Sequence, residues 1–146
     1  MKSPRTPDNE EPAAERACDF RPVDKGFTEE MALAEAERCL NCKKPFCVEG
    51  CPVNINIPRF IEQIREKDFG GALDTIREDS MLPAICGRVC PQEKQCEGHC
   101  IHVKMKDAPV AIGPLERFVA DYERQSVKKV TWDVAPANGI KVAIIG

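Results

Sequence analysis

Eight of the nine cysteines in this 146-residue chain lie between positions 39 and 100, and they fall into two quartets. The first is Cys39-x2-Cys42-x4-Cys47-x3-Cys51-Pro52, and the second is Cys86-x3-Cys90-Pro91-x4-Cys96-x3-Cys100. Aromatic residues make up only 5% of the chain, so burial alone gives a modest core. Bound metal is the obvious means of holding such a chain together. With no apolar stretch at the start that reads as an export signal, the cysteines are expected to sit in a reducing cytoplasm, as metal or redox sites and not as disulfides. The formal net charge of -3 is no nucleic-acid profile. No apolar run approaches the ~20 residues of a membrane helix.

Soft thiolates at short spacing select zinc, Cu(I) or iron–sulfur clusters. Structural zinc favours pairs of Cys-x2-Cys knuckles, and only Cys39-x2-Cys42 has that form. A cubane is wider than a single ion, and its ligands converge from a loop wrapped around it. The unit Cys-x3-Cys-Pro recurs in bacterial cluster loops, where the final Cys of a run ligates the neighbouring cluster. Two such runs predict two [4Fe–4S] clusters with crossed ligation: Cys39, Cys42 and Cys47 at the first, and Cys51 at the second. Counting leaves several ways to divide Cys86, Cys90, Cys96 and Cys100 among the remaining places. Cys18 has no Cys neighbour and reads as a spare thiol.

Around the quartets the pattern is helical. Thr28 caps a helix whose first turn holds Glu29 and Glu30, and which delivers Cys39 and Cys42. Ile57-Pro58 opens a second helix, with Phe60, Ile61 and Ile64 on its apolar face. Gly70-Gly71 is expected to end it, with a third running through Ala72, Leu73 and Ile76 as the other arm of a hairpin. A further helix starts at Gly113-Pro114, with Leu115, Phe118, Val119 and Tyr122 inward. Residues 1–26, rich in Pro, Glu and Arg, read as a solvated arm or one that lies along a partner subunit. Residues 124–139 read as a linker, and 140–146 as a β-branched strand with no sheet to join. The whole is an all-α domain at 27–123 with cysteine-rich loops.

These residues resemble the N-terminal domain of the small (β) subunit of NADPH-dependent glutamate synthase. The resemblance is carried by Arg5-Thr6-Pro7, Gly26-Phe27-Thr28-Glu29-Glu30-Met31-Ala32, Arg38-Cys39-Leu40-Asn41-Cys42 and Cys47-Val48-Glu49-Gly50-Cys51-Pro52-Val53. It continues through Gly87-Arg88-Val89-Cys90-Pro91, Glu97-Gly98 with Cys100, and Pro109-Val110-Ala111-Ile112-Gly113. The same domain type opens dihydropyrimidine dehydrogenase and related flavin-dependent oxidoreductases.

The resemblance implies an α-helical ferredoxin with two [4Fe–4S] clusters. It implies Cys39, Cys42, Cys47 and Cys100 at one cluster, and Cys51, Cys90, Cys96 and Glu116 at the other. Cys86 is then a buried non-ligand. Read without the resemblance, Glu116 is a solvated glutamate at a helix start. Residues 140–146 resemble the first strand of a flavin-binding Rossmann domain, cut short at Gly146, the first Gly of its phosphate-binding loop. FAD and NADPH would belong to the missing downstream domains, so the isolated chain is not expected to catalyse on its own. The implied activity is electron transfer from NADPH, through FAD and the clusters, to FMN of a large subunit that makes glutamate.

Two rivals remain. The same domain serves ferredoxin–NADP oxidoreductases, sulfide dehydrogenases and pyrimidine reductases, with other redox partner subunits. A zinc-stabilised interaction module would instead recruit His99 and His102, which otherwise read as non-ligands. Arg59, Arg65, Arg88 and Arg117 read mainly as surface charges, the alternative being that they cover cluster charge or face a partner. There is no Ser–His–Asp set and no acid–base pair of carboxylates.

Overall fold

The computed structural model describes residues 4–126 and 135–145. Among them the regular structure is helical. The N-terminal arm turns back on itself at α1 (Ala13–Arg16). Its two limbs are joined by an isolated antiparallel bridge between Glu10 and Asp24, with Glu11 N donating to Val23 O and Lys25 N to Asn9 O, each at 2.9 Å.

α2 (Glu29–Ala36) begins where Thr28 Oγ1 accepts the Met31 N–H at 3.2 Å, which satisfies one orphan donor of the first turn. Ala32, Glu35 and Ala36 are its buried face, so the apolar stripe includes one carboxylate. Asn41 then takes a left-handed conformation, φ 46°, which Asn tolerates, and turns the chain into the short α3 (Phe46–Glu49).

α4 (Ile57–Arg65) carries Pro58 in its first turn, where no N–H is needed, and Asn56 caps it through the Arg59 N–H. It ends at Arg65, five residues before Gly70. Lys67, at φ 61°, reverses the chain. The Asp68 side chain then accepts the Gly71 N–H at 2.9 Å and starts α5 (Phe69–Arg77). Gly70 and Gly71 therefore lie inside the first turn of α5 instead of ending α4. The Asp68 cap outweighs the poor helix propensity of two glycines.

α6 (Pro83–Val89), a 3₁₀ turn at Gln92–Lys94 and α7 (Ile101–Lys104) shape the second cysteine region. α8 (Ile112–Gln125) closes the domain. It lies against α6, α5 and α2, and α4 pairs with α5 as the expected hairpin. Phe60, Ile61, Ile64, Leu73, Ile76, Leu115 and Val119 are fully buried between them. Each such side chain contributes about 1.5–3 kcal/mol. Phe69 meets the Phe118 ring edge-on at 5.1 Å and Tyr122 at 4.8 Å, which fixes α5 on α8.

The arm docks on its own domain. Arg5 Nη1 donates to Glu97 Oε2 at 2.8 Å and to Pro109 O at 2.9 Å, and Thr6 N donates to Glu35 Oε2 at 2.7 Å. Residues 140–145 belong to no strand among the described residues, and Ile140, Val142, Ile144 and Ile145 are exposed. Positions 127–134 of the expected linker and Gly146 lie outside the described residues. No helix among the described residues is long and apolar enough to cross a membrane.

Candidate metal centre

The structure brings Cys39, Cys42, Cys47 and Cys100 to the wall of one pocket. Cys39 follows α2, Cys42 follows the Asn41 turn, Cys47 sits in α3, and Cys100 immediately precedes α7. The rest of that wall is largely apolar, including Ile57, Ile61, Val110 and Ile112. Lys104 Nζ stands 3.6 Å above the Phe46 ring at its rim.

Burial pushes the Cys47 thiol up to about 12, with the neighbouring Cys100 and Cys39 sulfurs adding to the effect. Burial likewise raises Cys39, and Cys42 and Cys100 add to it. These thiols resist ionising in an apolar wall, whereas a bound cation would reverse that balance and hold them as thiolates.

A second group forms where α6 meets α8. Burial pushes the Cys90 thiol up to about 11, and its neighbours there are Cys86, Glu116 and Cys51. Cys96 is pushed up to about 12, again by burial first, beside Glu97, Cys51 and Glu116. Glu116 itself is 7% exposed, and its Oε1 has no hydrogen-bond partner. Burial raises its carboxyl to about 7. Glu116 is thus no solvated helix-start glutamate; a buried carboxylate oxygen without a donor is costly unless something electropositive meets it.

Each sequence-predicted ligand therefore falls in one of two groups: Cys39, Cys42, Cys47 and Cys100, or Cys51, Cys90, Cys96 and Glu116. The donors are soft sulfurs with one carboxylate and suit iron–sulfur chemistry. Among the described residues no three His, Cys, Asp or Glu side chains converge closely enough to hold a single metal ion. Cys86 is half-buried, not buried. Cys18 is exposed.

The two histidines are engaged elsewhere. His102 Nε2 donates to Arg38 O at 3.0 Å, and its Nδ1 lies 3.2 Å from Asp107 Oδ2. His99 Nδ1 donates to Gln95 O at 2.7 Å. Arg59 pairs with Glu78, and Arg65 with Glu62 and Glu37. Arg88 reaches Asp121, and the largely buried Arg117 bridges Asp24 and Asp121.

Sequence reasoning missed the frame that aligns the two groups. Glu97, next to Cys96, accepts from Arg5 and, through Oε1, from the Gly113 N–H at 3.1 Å. Glu35 accepts the Ala111 N–H at 2.8 Å and that of Thr6. The signal was present in Arg5-Thr6, Glu97-Gly98 and Pro109–Gly113, separate stretches that meet in space.

The comparisons follow the same lines. Residues 16–128 match the family described as dihydropyrimidine dehydrogenase domain II, 4Fe-4S cluster. The chain is 43% identical over 120 residues to the NAD-dependent dihydropyrimidine dehydrogenase subunit PreT of Escherichia coli (strain K12), covering 82% of this chain and 29% of that protein. It is 36% identical over 146 residues to the glutamate synthase (NADPH) small chain of Azospirillum brasilense, covering 97% of this chain and 29% of the relative. The corresponding Escherichia coli (strain K12) small chain is 35% identical over 131 residues, 90% of this chain and 28% of its own length. The chain thus spans less than a third of the length of these relatives. With the match running from the arm to the end of α8 and taking in both cysteine groups, this chain belongs to the 4Fe-4S family of dihydropyrimidine dehydrogenase domain II.

Proposed function

We propose that this chain is the electron-transfer domain of a nicotinamide-dependent flavoprotein, holding two [4Fe–4S] clusters. Cys39, Cys42, Cys47 and Cys100 hold the first, and Cys51, Cys90, Cys96 and Glu116 the second. The observation that carries this reading is the unpartnered, buried Oε1 of Glu116 among three thiols. When bound, each cluster accepts and releases one electron. The protein's share is to place the donors, exclude water from the sulfurs with Ile57, Ile61 and Ile112, and keep the helical shell rigid.

The full-length protein is read as a glutamate synthase small subunit, its FAD and NADPH held in downstream domains and its partner a large FMN subunit, in the cytoplasm. The similarity to the Azospirillum small chain along 97% of this chain supports that reading. A second reading, a dihydropyrimidine dehydrogenase subunit, is favoured by the higher identity to PreT.

Anaerobic reconstitution followed by iron, sulfide and zinc analysis tests the cluster reading. About eight irons and eight sulfides per chain are expected, with broad absorption near ~400 nm that dithionite bleaches. Stoichiometric zinc in a colourless protein overturns it. To separate the two enzymes, the full-length protein and its genomic partner subunit are assayed for glutamate formation from glutamine and 2-oxoglutarate, and for pyrimidine reduction.

A further inference from the structure

The second group has one donor more than a four-ligand cluster uses. Cys86 neighbours the Cys90 thiol, and it lies one helical turn before Cys90, on the same face of the chain. We propose that Cys86 is a standby ligand of the second site, able to take the iron position that Glu116 holds. This rests on the two-cluster reading above.

The backbone geometry brings the two donors together. Gly87 and Arg117 directly follow Cys86 and Glu116, and here α6 and α8 touch backbone to backbone. A Cβ on Gly87 would stand 2.7 Å from Arg117 N and 3.0 Å from its Cα. The Cys86 carbonyl is pinned by the Cys90 N–H at 3.1 Å and by Gln92 Nε2 at 3.3 Å. The thiol itself is held only loosely, with Ser80 Oγ at 3.9 Å. The Cys86 backbone is therefore fixed beside the site, while its half-buried sulfur is held by the long Ser80 contact.

The exchange is a ligand substitution. An iron–oxygen bond to Glu116 breaks, an iron–sulfur bond to Cys86 forms, and the thiol proton passes to solvent. No electron moves. Thiolate is the softer donor and the commoner cluster ligand, so iron accepts the replacement. Glu116 holds the place in the resting protein because its Oε1 is already buried beside Cys90 and Cys96 without a donor, whereas Cys86 must turn away from Ser80.

The test compares reconstituted Glu116→Ala, Cys86→Ser and the double variant with the unsubstituted protein. Iron is counted, the reduced-state electron paramagnetic resonance spectrum is recorded, and Cys86 alkylation is mapped by mass spectrometry. Glu116→Ala should keep the full iron content, show an altered signal from one cluster, and protect Cys86 from alkylation. Cys86→Ser should keep full iron and an unaltered spectrum. The double variant should lose about half the iron, the half retained at the first site reporting that the chain is folded. Loss of half the iron by Glu116→Ala alone overturns the inference, as does full iron in the double variant. Loss by Cys86→Ser alone makes Cys86 a permanent ligand and also overturns it. An unsubstituted protein with no iron would fail the two-cluster reading first, and the inference with it.

Discussion

The Glu35 carboxylate and the Arg38 guanidinium meet at 2.6 Å with side chains 0% and 1% exposed. Arg38 also donates to the carbonyls of Pro109 (3.1 Å) and Ala108 (2.6 Å), while Glu35 accepts from Thr6 and Ala111. The pair thus ties the arm, α2 and the segment before α8 together, beside Cys39. Glu35→Ala takes the carboxylate away from a buried guanidinium and from two backbone N–H groups. Loss of about 3–5 kcal/mol is expected, read from urea unfolding of the iron-loaded chain.

Gly87 makes a second fixed point. Because a methyl group there would meet Arg117 backbone, Gly87→Ala should drive α6 from α8 and cost about 1–3 kcal/mol. Iron at the second site should fall while the first site keeps its share. Thermal melting and iron content measure the two effects.

The grouping of ligands has a non-additive signature. Cys42→Ser and Cys51→Ser should each lose about half the iron. Pairing Cys42→Ser with Cys100→Ser should lose no more than either alone, since both line one pocket. Pairing Cys42→Ser with Cys51→Ser should empty both sites. Iron analysis of the three single variants, Cys100→Ser included, and the two pairs decides it.

Alkali should act on the metal-free chain in one direction. The Cys47, Cys90 and Cys96 thiols are raised from 9.0 to about 12, 11 and 12 by burial. A group whose folded value is raised contributes stability that is whole below its unfolded value and lost as pH climbs through the folded one. Unfolding by urea should therefore become easier from about pH 9 upward, and the Cys47→Ala/Cys96→Ala variant should show a shallower decline.

Removing residues 1–8 deletes Arg5 and Thr6 and leaves the buried Glu97 and Glu35 short of donors. A loss of about 1–3 kcal/mol per abandoned acceptor is expected. A midpoint unchanged in urea would mean that the arm is only laid on the surface.

Much of this architecture could be read directly from residue order. Thr28 and Ile57-Pro58 announce helix starts because capping chemistry is local. Gly70-Gly71 misled because composition was weighed without the Asp68 side chain that starts α5. The burial of Glu35 and Arg38 was not legible in the sequence, because only distant Thr6 and Ala108–Ala111 explain it. Spacing alone could not divide the second quartet between sites, since proximity of Cys100 to Cys39 depends on the path of α4, α5 and α6. The burial of Glu116 depends equally on how α8 lies against α6.

The pocket wall that joins Cys39, Cys42 and Cys47 to Cys100 sets an order of events during synthesis. On the ribosome, the first three sulfurs emerge well before the last, with the entire helical hairpin translated in between. No nascent chain shorter than Cys100 can present that wall complete, so on the proposed ligation iron delivered earlier would meet three of the four sulfurs. On the proposed ligation, maturation of the first centre would wait on a residue that lies within the second cysteine run.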